Sequence, residues 1–421
     1  MAAEQDWIVD LALPEELAGM VGRALQRVEP RWTEIDCLQF YNQRRVLEAL
    51  QRQRVDESDF LDSSGYGYSD RGREKLEGAF AEIFGGESAL VRPQVVSGTH
   101  ALAVTLFGLL RPGELLLSVT GPPYDTLQAV IGNRGKESGT LAEWGIRHRY
   151  LPVRADGYPD LGALEQEWQP RVAYIQRSAG YDLQRRGLTT GEIALLVREL
   201  RRRYPDSWVV VDNCYGEFAE RSEPLAAGAD LVAGSLIKNP GGGLARSGGY
   251  VVGRSELVRM VAGRLTAPGL YDSLGSFTDK RSFFQGLFMA PQLVGNAQKN
   301  ALFAAALFEQ LGYEVKPRCD ERRGDTVQAV ILGNAAKLLR FCRAVQGASP
   351  VEAYLTPEPG PLPGYEDPVV MAAGTFYQGA TGELTADGPL REPYAVFLQG
   401  GLTLPHALYA TCAAARALVA P

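Results

Sequence analysis

The 421-residue chain has little of what holds a fold together other than a core. Its five cysteines, Cys37, Cys214, Cys319, Cys342 and Cys412, are scattered, odd in number and free of any CxxC pair. That argues against a disulfide framework and a zinc cluster, and no metal site is expected. No apolar run approaches the roughly 20 residues that a membrane-spanning helix needs. The amino terminus, Met-Ala-Ala-Glu-Gln-Asp, lacks a basic segment followed by an apolar one, so a cytoplasmic address is expected. Positive charge is also short, since 43 Lys+Arg against 50 Asp+Glu leave −7. A nucleic-acid coat or a polybasic membrane binder needs the opposite field, so the expected partners are small molecules and other subunits. With 45% apolar and 22% charged residues, the composition is that of a globular protein. At about 100–200 residues per domain there is chain for two or three.

The first segment, 1–60, is expected to be a helical arm, because Leu17, Met20, Val21, Ala24 and Leu25 fall at helical spacing. A glycine- and tyrosine-rich loop follows, containing Tyr66, Tyr68 and Arg71. Short apolar runs then alternate with helix-like stretches: 89–96, 114–119, 147–153, 172–175, 208–211, 231–237 and 249–252. Thr189 and Glu192 have capping-box spacing ahead of the stripe Ile193, Leu196, Val197 and Leu200. Strands apolar on both faces between helices predict a mostly parallel sheet, hence an α/β large domain over 61–299. Within it, 263–299 reads as loop-rich. A small α+β domain is expected over 300–421, with strands at 326–332, 351–355, 369–373 and 394–398 and helices at 301–311, 335–345 and 406–420.

Three places carry chemistry. The apolar strand Trp208-Val-Val-Val ends in Asp212, where ligands of parallel sheets gather, although a turn or cap aspartate would look the same. The apolar run 231–237 ends in Lys238, followed by Asn-Pro and Gly241, Gly242 and Gly243. A lysine against a nonpolar wall has a lowered pKa and becomes a nucleophilic amine; the alternative is a surface lysine before a turn. The glycines read either as a flexible turn or as room for a cofactor. Third, Ser97-Gly98-Thr99-His100 follows a strand and resembles a phosphate-binding helix start, or an ordinary cap. Together these are the parts that hold pyridoxal 5′-phosphate: a phosphate cradle, an acid for the pyridine nitrogen in Asp212, and an imine-forming amine in Lys238.

The stretches SGYGYSDRGR, ALVRPQVVSGTHAL, YIQRS, VVVDNCYGEF, ADLVAGSLIKNPGGG, SGGYVVGR, RLTAPG, MAAGTF and ELTADGPLREPYAVFLQGGLT, spanning about 62–403, resemble the methionine gamma-lyase-like or "aluminium resistance" group. That group belongs to the fold-type I pyridoxal-phosphate enzymes of cysteine and methionine metabolism. The resemblance implies Lys238 as the cofactor lysine and Asp212 as the pyridine partner. It also implies Gly98, Thr99 and Ser235 at the phosphate, with Ile237 standing where the wider superfamily often has a threonine. Tyr124 is near the ring-stacking tyrosine position, and His100 competes with it. Tyr66, Tyr68 and Arg71 would reach a neighbouring subunit's phosphate, which implies a homodimer or homotetramer with shared sites. Arg391 is the first choice for the substrate carboxylate and Arg177 the second, Arg177 being alternatively a contact of the cofactor ring. Ala179 departs from the family, which has an arginine there, and this bears on specificity.

The implied reaction is elimination of a β- or γ-substituent, with sulfur as the leaving atom, releasing a thiol, ammonia and a keto acid. Alternatives are transamination, aldol cleavage, and a binding or regulatory protein that keeps the fold without turnover.

Overall fold

The computed structural model describes residues 6–135 and 138–419. By contacts the chain forms two units, one from Tyr41 to Pro291, the other joining the segment that ends at Phe40 to the one that begins at Gln292.

The first unit is built on seven strands: β1 (Ser88–Arg92), β2 (Leu115–Ser118), β3 (Arg147–Tyr150), β4 (Val172–Gln176), β5 (Trp208–Asp212), β6 (Leu231–Ser235) and β7 (Gly249–Gly253), in the spatial order β1-β7-β6-β5-β4-β2-β3. The pairs from β3 through β6 are parallel, and only β7 runs against its neighbours. All seven apolar runs of the sequence become these strands, because a parallel sheet covered on both faces needs continuous apolar residues. The edge strand β3, Arg-His-Arg-Tyr, is the polar exception, and charge on an edge blocks unwanted strand pairing. In register, Gln176 of β4 lies beside Asp212 of β5, and Asp212 beside Ala233 of β6. The carboxyl ends of three central strands therefore meet at one edge of the sheet.

Helices follow where the capping signals put them. Ser97 caps Gly98–Leu109 by accepting from the His100 N–H at 3.0 Å. Thr189 and Glu192 close the reciprocal box at the start of Thr190–Arg203, whose stripe Ile193, Leu196, Val197 and Leu200 is buried. One expectation fails: much of 263–299 is helix, since Lys280–Gln310 is one element. Its Gly286 and Pro291 look like loop residues, but Gly286 is there for close approach. A Cβ on Gly286 would stand 2.2 Å from the Gly241 carbonyl oxygen, and one on Gly242 would stand 2.1 Å from that of Gly286. Gly241 and Gly242 thus lie where the backbone of this helix passes close.

The second unit carries an antiparallel sheet of β8 (Glu314–Lys316), β9 (Gln328–Ile331), β10 (Val369–Ala372), β11 (Thr385–Pro389) and β12 (Ala395–Gln399), ordered β10-β11-β12-β9-β8. The helices Ala335–Gly347 and Leu404–Val419 belong to it. The run 351–355 is turn, not strand. Leu17, Val21, Ala24 and Val28 of the helix Glu15–Arg52 enter this unit's core with Phe308, Val330 and Phe341, so the start of the arm does not stand apart. Among the described residues no helix is long and apolar enough to cross a membrane.

Candidate active site

Asp212 closes β5 with its carboxylate buried. It accepts from the Tyr174 hydroxyl at 3.2 Å and from the Cys214 N–H at 3.1 Å. Burial pushes this carboxyl above the usual carboxylate range, against the pull of Lys238. Burial likewise holds the Tyr174 phenol well above its ordinary value, so Tyr174 remains a donor to the acid. The chain then turns sharply, with Tyr215 at φ +70°, a left-handed conformation that bulky residues adopt at a cost of about 1–3 kcal/mol. The turn sets the Tyr215 ring under Lys238, whose Nζ stands 4.0 Å from the ring centroid. Such a contact favours the ammonium by about 0.5–2 kcal/mol.

β6 stops at Ser235, so Lys238 is a turn residue three positions past the strand. Its expected lowering does not occur. Burial alone would lower the ammonium, but Cys214, Tyr215, Asp212 and Tyr124 outweigh it and raise Lys238 well above the ordinary lysine range. Its acid–base setting follows from these neighbours, not from an apolar wall. Among the described residues no carboxylate pairs with it, whereas the buried Lys280 pairs with Asp70 at 2.8 Å.

The Ser235 Oγ is buried and has no hydrogen-bond partner among the described residues. Gly98 is its neighbour: a Cβ there would stand 3.3 Å from both the Ser235 Cβ and the Cys214 Sγ. The first turn of Gly98–Leu109, with its outward N–H groups, thus opens beside Ser235. The Thr99 hydroxyl is 3.1 Å from both the Tyr124 and the Thr126 hydroxyls, so it orients Tyr124 as much as it faces any ligand. Tyr124 starts the helix Asp125–Ile131 and donates its N–H to Gln176 Oε1 at 3.0 Å. Burial, then Asp212, holds its phenol well above the ordinary value. His100 accepts the Val96 N–H on Nδ1 at 3.1 Å, and burial lowers its pKa, favouring the neutral ring.

Four other expected residues have neighbours of their own. Arg177 is corrected: its fully buried guanidinium donates to Asn213 Oδ1 and Glu220 Oε2, each at 2.8 Å, and lies 3.5 Å from Glu223, leaving no fork for a substrate carboxylate or a cofactor ring. It holds together the turn after β5, and Gly216 must lack a side chain because a Cβ there would be 2.3 Å from the Arg177 Cδ. Arg71 is drawn to Asp59 at 2.8 Å and Asp56 at 3.2 Å within its own chain. Tyr68 is exposed and pairs with Tyr66 at 5.4 Å between ring centroids. Arg391, in the other unit, pairs with Asp367 at 2.9 Å.

Sequence reasoning missed Glu217, although it lies within the quoted VVVDNCYGEF. It is fully buried, accepts from the Tyr250 hydroxyl at 2.7 Å on Oε1, and has no partner on Oε2. Burial pushes its carboxyl up to about 8. The unfolded chain ionises this group near its ordinary 4.5 while the folded chain keeps the proton. Its stabilisation is therefore full below pH 4.5 and is lost as pH rises to about 8, on the order of a few kcal/mol. Glu217→Gln, neutral at every pH, is expected to melt closer to the wild type at pH 5 and at a higher temperature than it at pH 8. Calorimetry at both pH values checks this, and a melting difference that does not change with pH would refute it.

A family model described as methionine gamma-lyase matches residues 17–419. The uncharacterised protein YnbB of Bacillus subtilis is 45% identical over 390 residues, covering 92% of each chain. Among solved structures, a carbon-sulfur lyase involved in aluminium resistance from Clostridium novyi NT has a TM-score of 0.93 at 40% identity and covers 100% of both chains. A Clostridium acetobutylicum protein provisionally named a cystathionine beta-lyase involved in aluminium resistance gives 0.94 at 42% identity over 99% of each.

Proposed function

The chain belongs to the methionine gamma-lyase family, and on that premise we propose that it is a pyridoxal 5′-phosphate-dependent lyase that breaks the carbon–sulfur bond of a cysteine-, methionine- or cystathionine-like amino acid by β- or γ-elimination. The observation that carries this reading is the half-buried Lys238 amine, free of any carboxylate pair among the described residues, within the electrostatic reach of the acid that ends the neighbouring strand. The names of the clostridial relatives support the carbon–sulfur chemistry.

The residues fit the cofactor. Ser235 Oγ is a buried hydroxyl lacking a partner, and it lies beside Gly98 at a helix start, a donor set suited to a phosphate. Ser97, Gly98, Thr99 and Ser235 would hold that phosphate, Asp212 the pyridine nitrogen, and Lys238 the aldehyde carbon, with Tyr124 or His100 against the ring. When bound, the cofactor supplies an electron sink for the charge left as a proton leaves the substrate α-carbon. Lys238 Nζ, uncharged once it has given up its place on the aldehyde carbon to the substrate amine, would take that proton. Asp212 is held in place by the donors Tyr174 and Cys214 N–H, and its charge is favoured against burial by Lys238. Tyr124 Oη, kept protonated by burial, is the acid available to the leaving sulfur.

The assembly in this reading is a homodimer or homotetramer, which the exposed Tyr66 and Tyr68 rings support as contacts for a second copy. The purified protein titrated with L-methionine, L-cysteine, L-cystathionine and non-sulfur amino acids is expected to release thiol or sulfide and keto acid in equal amounts from the sulfur amino acids, and no thiol from the others. Keto acid without thiol would point to transamination, and a spectral change without product to a binding protein.

A further inference from the structure

Arg185 is a second buried arginine beside the site, and unlike Arg177 it is poorly paired. It is 7% exposed, and its five N–H donors meet little: Nη1 lies 3.5 Å from the Thr120 carbonyl, and Nε lies 3.0 Å from Asp182 Oδ2 without the alignment of a hydrogen bond. On the same loop the Ser178 Oγ is buried with no partner. Buried donors left unpaired cost stability, so an arrangement like this is kept for a ligand that pairs them.

The surroundings say what that ligand is near. Gly180, at φ +62°, lies between Arg185 and Tyr124: a Cβ on it would stand 4.0 Å from Arg185 Nη2, 3.8 Å from the Tyr124 Cβ and 3.3 Å from Gln176 Nε2. Burial works against the Arg185 charge, while Asp182, then Tyr174 and Asp212, favour it, so the guanidinium is within reach of the acid that ends β5. Asp182 is itself partly exposed, and its Oδ1 is engaged by the Gln184 N–H at 2.8 Å. It is a resident counter-ion that can be exchanged.

We infer that Arg185, with Ser178, binds the α-carboxylate of the amino-acid substrate, and that Asp182 is the carboxylate it releases to do so. A planar guanidinium matches a carboxylate with two parallel N–H···O bonds. This assigns to Arg185 the role first expected of Arg391 or Arg177, and it rests on the lyase reading above.

The test uses the full-length, cofactor-loaded protein, following its absorbance during titration with L-methionine and with the matching amine that lacks the carboxylate, 3-methylthiopropylamine. Arg185→Met is expected to weaken L-methionine about 30-fold or more, the usual consequence of removing one member of a buried charge pair, while the amine shifts less than about threefold. Arg185→Lys should fall between. Asp182→Asn keeps the Gln184 contact but removes the competing charge, so it should tighten L-methionine a few-fold; it also serves where the methionine variant fails to fold. L-methionine binding unchanged in Arg185→Met, or amino acid and amine weakened alike, or no tightening in Asp182→Asn, would overturn the assignment. A wild type that responds to neither L-methionine, L-cysteine nor L-cystathionine would instead overturn the lyase reading.

Discussion

Lys238→Ala is expected to abolish turnover, with a loss of at least about 10³-fold, while the protein still folds. The amine has two tasks in the proposed chemistry, attachment of the cofactor and transfer of the α-proton, and no other described lysine is placed for either. Lys280 and Lys299 are more deeply buried, but each is spent on an acid, Asp70 at 2.8 Å and Asp36 at 2.5 Å. Lys238 instead rests over the Tyr215 ring, where its charge is favoured without being neutralised. Because the fold does not use it in an ion pair, alanine there breaks no salt bridge; it removes one charge that favours the Asp212 carboxylate, which burial then lets take up a proton, so the chain should still fold. Borohydride reduction of the loaded wild type should fix the cofactor to the peptide that contains Lys238, and the alanine variant should retain none after denaturation. A trappable linkage that persists in Lys238→Ala would move the role to another amine.

The sheet of the first unit was legible because its strands are buried on both faces, which leaves runs such as Val172–Gln176 and Leu231–Ser235 almost without polar interruption. The second sheet was legible only in part. β11 is Thr-Ala-Asp-Gly-Pro, whose composition argues for a turn, and β8 is three residues with charged ends; both are strands because their neighbours pair with them, not because of local preference. Gly286 and Pro291 hid a helix for a comparable reason, since glycine there answers a backbone contact made by residues 45 positions earlier in the chain. In the site, Asp212 and Ser97 stood out because each ends or follows a recognisable element, and Lys238 because an apolar run precedes it. Tyr174, Tyr215, Glu217 and Arg185 did not. Tyr174 reaches Asp212 from the adjacent strand, and Tyr215 meets Lys238 only through a left-handed turn; neither relation is written in sequence spacing. Arg177 misled for the converse reason, its position after a strand being right for a site but its donors already committed.

Asp212→Asn is the second severe change, expected to reduce turnover by about 10²–10⁴-fold with the fold intact, because asparagine keeps the shape and one acceptor oxygen but not the charge. The wild-type carboxylate is held in place from two directions, by the Tyr174 hydroxyl and the Cys214 N–H, while burial resists its ionisation. A group so placed stays charged only if a cation compensates it. Lys238 is one such cation, and the protonated pyridine nitrogen of the proposed cofactor is the other. Asparagine cannot stabilise that proton, so the ring loses its capacity to accept electrons although it is still held at the phosphate end by Ser235 and the start of Gly98–Leu109. The two variants are therefore separable: borohydride should still fix the cofactor to Lys238 in Asp212→Asn, whereas it finds no amine in Lys238→Ala. The cofactor dissociation constant should rise about tenfold for Asp212→Asn, the equivalent of about 1.4 kcal/mol for one lost charge-assisted hydrogen bond. An asparagine variant that retained more than about a tenth of wild-type turnover would mean that some other group faces the ring nitrogen, and the pairing of β5 with β6 would then be an accident of the fold, not the frame of the reaction.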